Sequence, residues 1–236
     1  ERAEGDEPIV VHINQALRPD ADDDERFVAD LAARFALPFR AITINPGDER
    51  GNTLGQARRL RYAALAECAV ETGASAVVTA HHADDQFETM LMALSRGTGL
   101  EGLRGMRRRR GLAAGLPRVR PLLSIRTDVL TKFCEAAGVE WREDPSNRDL
   151  SKARARLRQE VLPVLESLWP SAASRAAATS ESLALAARLV QRAVRKKFGP
   201  TGVTSWRRRD LAAVSPALLS AGLRSAVREQ IRRESG

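Results

Sequence analysis

The chain predicts an α/β fold, a parallel sheet with helices on both faces followed by an all-helical region, on three observations. The first hundred residues alternate short β-branched runs with segments of helical period, in the order βαβαβα. One run, "SAVVTA" at 75–80, is apolar on both faces, as a central parallel strand must be. Polar clusters follow the strands: "HINQALRP" after the first and "HHADDQFET" (81–89) after the third. In such sheets ligands bind beyond the carboxyl ends of the strands.

The elements follow in order. "PIVVHIN" (8–14) is a short strand. "DDDERFVADLAARFA" (22–36) opens with acids and carries Phe27, Val28, Leu31, Ala32 and Phe35 at helical spacing. "FRAITIN" (39–45) is the second strand, ended by Pro46 and Gly47. An Ala/Leu/Arg-rich helix over 53–72 stops at Gly73, and a helix over 84–95 stops at "RGTG". "LRGMRRRRGLAAGLPRVRPLL" (103–123) is punctuated by Gly and Pro with arginines on both sides, the pattern of a basic hairpin or loop. A helix over 127–137 stops at Gly138, and "VEWREDPSN" (139–147) is an extended piece and a turn. From Lys152 onward the pattern is helical, broken at Pro163, Pro170, "FGPTG" and Pro216. The change of pattern places a boundary at 147–151, dividing the chain into 1–148 and 149–236.

Composition narrows the class. No apolar run among the 236 residues is long enough to cross a bilayer, so no membrane partner is expected. "ERAEGDEP" is too acidic for a secretory signal and has no initiator Met, so the chain is expected to begin inside a longer, cytoplasmic protein. Cys68 and Cys134 lie in helical stretches without a CxxC partner and are expected as reduced thiols. Residues 1–100 sum to −7 and residues 101–236 to +15, which fits a chain that grips a polyanion with its second part. A single Tyr argues against an aromatic platform for stacking bases.

Asp85 and Glu88 are three apart and share one helix face. Two readings are open for them. The spacing is that of acids steadying a helix start, and it also makes a compact anionic patch. His81 and His82 have no nearby Cys or His to complete a metal site, so no metal ligand is assigned.

"VHINQALRP", "GNTLGQARRLRY", "TAHHADDQFET", "SRGTGLEGLRGM", "RPLL" and "WREDPSN" occur in that order. Together they resemble the tRNA(Ile)-lysidine synthetase family, a branch of the PP-loop (N-type) ATP pyrophosphatases, from about Ile9 to Pro163. The resemblance implies a PP-loop domain over 1–148 and a helical linker with part of a tRNA-binding domain over 149–236. It implies ATP with Mg²⁺ as cofactors, tRNA(Ile) with a CAU anticodon and free L-lysine as partners, and leaves a homodimer open. ATP adenylates the carbon 2 oxygen of the anticodon cytidine, and the lysine ε-amine then attacks that carbon to give lysidine. The resemblance carries a lysine-binding and catalytic role onto Asp85 and Glu88, where a carboxylate can also accept the amine's proton. It places Arg61 beside the nucleotide, where a guanidinium offsets phosphate charge. His81, His82 and His12 are weaker nucleotide contacts. Arg107, Arg108, Arg109, Arg110, Arg154, Arg156 and Arg158 are expected as phosphate contacts to tRNA, as is the "RAVRKK" run (192–197).

The pattern departs from the family in three places. No SGGxDS P-loop occurs; it is expected upstream, and the chain by itself is expected not to make lysidine. "NQALRP" stands where the family has NHGLRP, and Ala155 where an Asn is common. Two rivals remain at this point. Another PP-loop activity such as tRNA thiolation usually needs paired cysteines, which are missing. A non-catalytic tRNA-binding fragment is the rival from another class.

Overall fold

A computed structural model describes residues 7–15, 20–45, 53–199, 205–212 and 214–234. Residues 16–19 of the "NQALRP" loop and the Pro46–Gly47 turn lie outside them.

The chain forms two compact units whose segments alternate along the sequence. The first takes residues 1–80, 108–121 and 134–144; the second takes 81–107, 122–133 and 145–236. The sequence alone suggests one boundary at 147–151, but two later segments return to the first unit. Residues 108–121 return because a strand there pairs in parallel with Val77 and Val78. Residues 134–144 are tied back where Arg34 Nη1 donates to the Gly138 carbonyl (2.9 Å) and Arg142 pairs with Asp24 (2.8 Å).

In the first unit β1 (Val10–Asn14) and β2 (Phe39–Thr43) are parallel, with Val10 opposite Phe39 and Asn14 opposite Thr43. Helix α1 (Ala21–Arg34) connects them, with Asp22, Asp23 and Asp24 in its first turn, where the helix dipole favours negative charge. Buried Asn14, at the end of β1, donates to Asp22 (3.0 Å) and Glu25 (3.1 Å), fixing strand end to helix start. Helix α2 (Thr53–Glu71) buries Ala57, Ala64, Cys68 and Ala69. It packs Ala69 against Val77 and Leu116, with Leu65, Ala66, Ala74 and Leu112 around them.

Strand β3 is only Val77–Val78, a contraction of the predicted run. It pairs in parallel with β5 (Leu116–Val119), which pairs antiparallel with β4 (Arg109–Ala113). Both arms of the basic hairpin are therefore strands of a three-stranded sheet of order β3-β5-β4, which among the described residues puts β3 at an edge with Val78 exposed rather than at the centre expected for an apolar run. Gly115 supplies the left-handed residue of its turn (φ 74°). Cys68 is buried and Cys134 half-buried, both as free thiols.

The second unit is helical. Helix α3 (Ala83–Ser95) packs on the long α8 (Ala172–Phe198), as does the single turn α4 (Leu100–Leu103). Helix α5 spans Thr127–Ala136, and a 3₁₀ turn spans Pro145–Arg148. Helix α6 (Ala153–Arg156) runs through a wide π turn (Leu157–Val161) into α7 (Leu162–Leu168). Pro163 has no N–H to give the preceding turn, and the chain widens just before it. After the short α9 (Arg208–Ala212), α10 (Pro216–Glu234) packs on α8. Val194, Phe198 and Val214 form the core there, and Trp206 meets Phe198 edge-on at 5.6 Å. No helix among the described residues is long and apolar enough to cross a membrane.

Gly222 of α10 lies against the Phe198 ring, so closely that a Cβ there would sit 2.6–2.9 Å from its carbons. Gly222→Val is expected to lower stability by about 2 kcal/mol, because a packed, buried ring cannot retreat without opening space elsewhere. Urea unfolding of the variant beside the parent chain measures it.

Candidate functional site

The nine-residue stretch answers both readings at once. The Asp85 carboxylate accepts the backbone N–H of His82 (3.1 Å), so it does steady the start of α3. The His82 ring lies between two carboxylates, with Nδ1 3.5 Å from Asp84 and Nε2 3.3 Å from Asp85. Asp84 reaches a second helix start: the N–H and hydroxyl of Thr127 both donate to it at 2.9 Å, supplying a free amide of α5 with an acceptor. Ala83 N–H donates to the Ile125 carbonyl (2.8 Å), which fixes the same junction.

Burial would raise the Asp84 carboxyl, but the His82 and Thr127 hydrogen bonds outweigh it and hold the group well below the usual carboxylate range. A depressed native value means stability that is present above pH 3.8 and lost as pH falls from there toward the native value. Asp84→Asn is therefore expected to cost about 1–2 kcal/mol at pH 7, with the gap from the parent chain closing below pH 4. Unfolding midpoints at pH 7 and pH 3 test this.

Asp85 and Glu88 face inward together. Glu88 is completely buried, and its two oxygens accept from Arg154 Nε (2.5 Å) and Arg158 Nε (2.6 Å). Asp85 Oδ1 takes Arg158 Nη2 (2.9 Å) and, more loosely, Arg154 Nη2 (3.5 Å). The two arginines are four apart, so the helical turn they share presents both to the same side. Arg156, between them, points away and pairs with Glu160 (3.0 Å). Burial alone would lower the Arg158 guanidinium, but the hydrogen bond to Glu88 and the charges of Glu88, Asp85 and Asp84 raise it.

Beside this cluster is an open pocket of about 280 Å³ lined by Asp85, Asn147, Lys152, Arg154, Ala155 and Arg158. Arg158 Nη1 donates to Asn147 (3.3 Å), and Lys152 pairs with Asp149 (3.3 Å). The expected anionic patch is thus present but neutralised.

The other expected residues are distributed as follows. Arg154 and Arg158, expected as phosphate contacts, are committed to carboxylates; Arg156 remains exposed. His81 is half-buried at the foot of α3. Arg107 is exposed, 4.0 Å from Glu101. Arg108 donates to the Pro121 carbonyl (3.0 Å), and Arg109 and Arg110 are exposed on β4. Of the run at 192–197, Arg192, Arg195, Lys196 and Lys197 are exposed on the last turns of α8.

Arg61 and His12 belong to the first unit, half-buried on α2 and β1. Next to Arg61, Tyr62 has Arg118 of β5 over its ring at 4.1 Å and Arg58 at 5.2 Å. Arg118 is 5 % and Arg120 2 % exposed. Burial pushes Arg118 down to about 10, with Arg120, Arg58 and Arg110 adding to the effect.

Sequence reasoning missed Thr127, Gln86, Ser180 and the pocket role of Asn147. The i,i+4 pair Arg154/Arg158 matching the i,i+3 pair Asp85/Glu88 was the available signal. Among the described residues no group of three His, Cys, Asp or Glu side chains could hold a metal ion.

The profile of the PP-loop domain matches residues 1–165. The chain is 42 % identical over 201 residues to a tRNA(Ile)-lysidine synthase of Geobacter sulfurreducens, covering 80 % of this chain and 41 % of that protein. It is 37 % identical over 210 residues to that of Deinococcus radiodurans, covering 84 % and 35 %. To that of Thermus thermophilus it is 40 % identical over 172 residues, covering 71 % and 32 %. The chain thus spans about two fifths or less of these relatives. The U34-tRNA thiolase NcsA from Methanococcus maripaludis, solved with its [4Fe-4S] cluster, matches in fold with a TM-score of 0.62. The identity is 16 %, over 74 % of this chain and 60 % of that one. With motif order, parallel strands and a profile match over most of its length in agreement, the chain belongs to the PP-loop domain family.

Proposed function

We propose that this chain serves an enzyme that joins L-lysine to carbon 2 of the anticodon cytidine of tRNA(Ile), with ATP split to AMP and pyrophosphate. The observation that carries the reading is the Asp85/Glu88 pair, Asp85 in the pocket lining and Glu88 buried behind it, in a chain 42 % identical over 201 residues to a lysidine synthase. In the first step the carbon 2 oxygen attacks the α-phosphorus of ATP and pyrophosphate leaves. In the second the lysine ε-amine attacks carbon 2, AMP departs with the oxygen, and the amine loses a proton. Asp85, the more open of the two acids, lines the pocket and is placed to seat the lysine cation and accept that proton. Glu88 fixes the two arginines behind it. ATP is the expected co-substrate with Mg²⁺; the described residues hold no ligand set for the ion, and no step is assigned to it. Arg61 is the expected counter-charge for the nucleotide.

The test is direct. The protein carrying this chain is incubated with CAU-anticodon tRNA(Ile), ATP and L-lysine, and the tRNA is digested to nucleosides. Lysidine that depends on both small molecules is the expected result, and its absence overturns the reading. Neutralising Arg107–Arg110 is expected to weaken tRNA binding and to flatten its salt dependence, by about one unit of slope for each phosphate the loop no longer neutralises. An unchanged slope removes this loop from the interface.

A further inference from the structure

Gln86 stands on α3 between Asp85 and Glu88, and it serves neither the pocket nor the start of the helix. Its buried carboxamide clamps both main-chain groups of one residue. Oε1 accepts the Met106 N–H (2.7 Å) and Nε2 donates to the Met106 carbonyl (3.1 Å), the reciprocal pair that opposing residues exchange in an antiparallel ladder. Nε2 also donates to Ser180 Oγ of α8, and Ser180 donates to the Arg104 carbonyl (2.5 Å). Side chains from two helices thus hold the backbone of 104–106, neither helix nor strand, at three points. Satisfying Met106 needs only some donor and some acceptor. Drawing both from one buried group fixes the rotation of the backbone as well as its position.

The residue after the clamp is Arg107, exposed and 4.0 Å from Glu101 of α4. The Glu101 carboxylate also takes Arg104 (2.5 Å) and, from α8, Gln191 (2.8 Å). Arg188 and Arg195 lie three before and four after Gln191, so both share its face of α8, with Cβ atoms about 5–6 Å from its own. Both are exposed. Arg104 and Gln191 already engage Glu101, so the guanidiniums of Arg107, Arg188 and Arg195 exceed what that carboxylate can neutralise. Exposed guanidiniums grouped in this way suit phosphate oxygens.

We propose that Arg107, Arg188 and Arg195 form one phosphate-binding cluster for the tRNA backbone, and that Gln86 is the positioning residue that holds Arg107 in it. The inference rests on the tRNA reading above and goes further. The residue next to Asp85 sets where the RNA backbone lies.

Binding of CAU-anticodon tRNA(Ile), without ATP or lysine, is measured over a range of salt for the protein carrying this chain, Gln86→Met, Arg107→Ala and the double variant. Urea unfolding of each is measured beside it. Methionine keeps the length of glutamine and makes none of its hydrogen bonds. Each single variant is expected to bind about fivefold more weakly and to lose about one unit of the slope of log K against log salt. The double variant is expected to bind no more weakly than the weaker single one, because Gln86 acts through Arg107. Arg188→Ala combined with Arg195→Ala is expected to lose about two units of slope. Losses that multiply in the double variant, to about twenty-fivefold, overturn the proposal, since Gln86 then acts through stability alone. An unchanged slope in Arg107→Ala or in the α8 pair also overturns it, and so does no binding of tRNA. If Gln86→Met does not fold, Ser180→Ala takes its place. It frees the Arg104 carbonyl, keeps the reciprocal pair, and is expected to weaken tRNA binding with the same dependence on Arg107. Coupled losses in a protein that makes no lysidine support the cluster while refuting the function above.

Discussion

Glu88→Gln will lower stability by about 2–3 kcal/mol and, on the function proposed above, cut lysine transfer at least a hundredfold. Glutamine keeps the shape of the side chain but turns one oxygen into a donor facing a donor, because both glutamate oxygens accept from a guanidinium Nε. Breaking a fully buried pair costs about 3–5 kcal/mol; the two guanidiniums reach solvent here, which brings the cost down. Without Glu88, Arg154 and Arg158 lose their common anchor, and the pocket wall they form with Lys152 loosens. Urea unfolding with single-turnover lysine transfer reads both effects. Glu160→Gln is the control, since its exposed pair with Arg156 is worth less than about 0.5 kcal/mol. Equal unfolding midpoints for Glu88→Gln and Glu160→Gln would show that the buried carboxylate is not anchoring the two arginines.

Gln86→Leu is the second large effect, at about 3 kcal/mol. Gln86 is 1 % exposed, on the face of α3 turned toward α8. Its amide donates to the Met106 carbonyl (3.1 Å) and to Ser180 Oγ, and its oxygen accepts the Met106 N–H (2.7 Å). Ser180 in turn donates to the Arg104 carbonyl (2.5 Å). Leucine fills the same space and strands the half-buried Met106 amide, whose loss of partner costs about 1–3 kcal/mol by itself. Gly105 belongs to the same network. It takes φ 60°, and a Cβ there would lie 2.7–2.9 Å from the Gln86 carboxamide. Gly105→Ala is therefore expected to destabilise the parent chain more than it destabilises Gln86→Ala, in which the obstructing carboxamide is gone. A thermal double-mutant cycle gives the coupling. Strict additivity would mean that the two residues do not meet.

Much of the fold was legible because it follows from local rules. Acids at 22–24 and an apolar stripe set α1, β-branched runs set β1 and β2, and Gly73 and Gly138 stop α2 and α5 near where the pattern changes. The hairpin at 109–119 was legible as a turn, but its membership of the sheet was not. Arg118 and Arg120 lie in a stretch whose pattern says only basic hairpin or loop, and the packing around Tyr62 is what buries both. The boundary near 148 was read from composition, which changes there, while the compact units follow hydrogen bonds that bring 108–121 and 134–144 back to earlier segments.

By itself the sequence determined the order of elements, the family motif set, and the fact that Asp85 and Glu88 share a face. Spacing of three or four fixes which side chains stand together on one helix, because that is a property of the helical turn. It is silent on what stands opposite. Only the tertiary structure decided that the opposing residues are Arg154 and Arg158, 66 to 73 positions along the chain. Charge complementarity could pair those acids with many of the chain's 38 basic residues, and backbone packing selects these two.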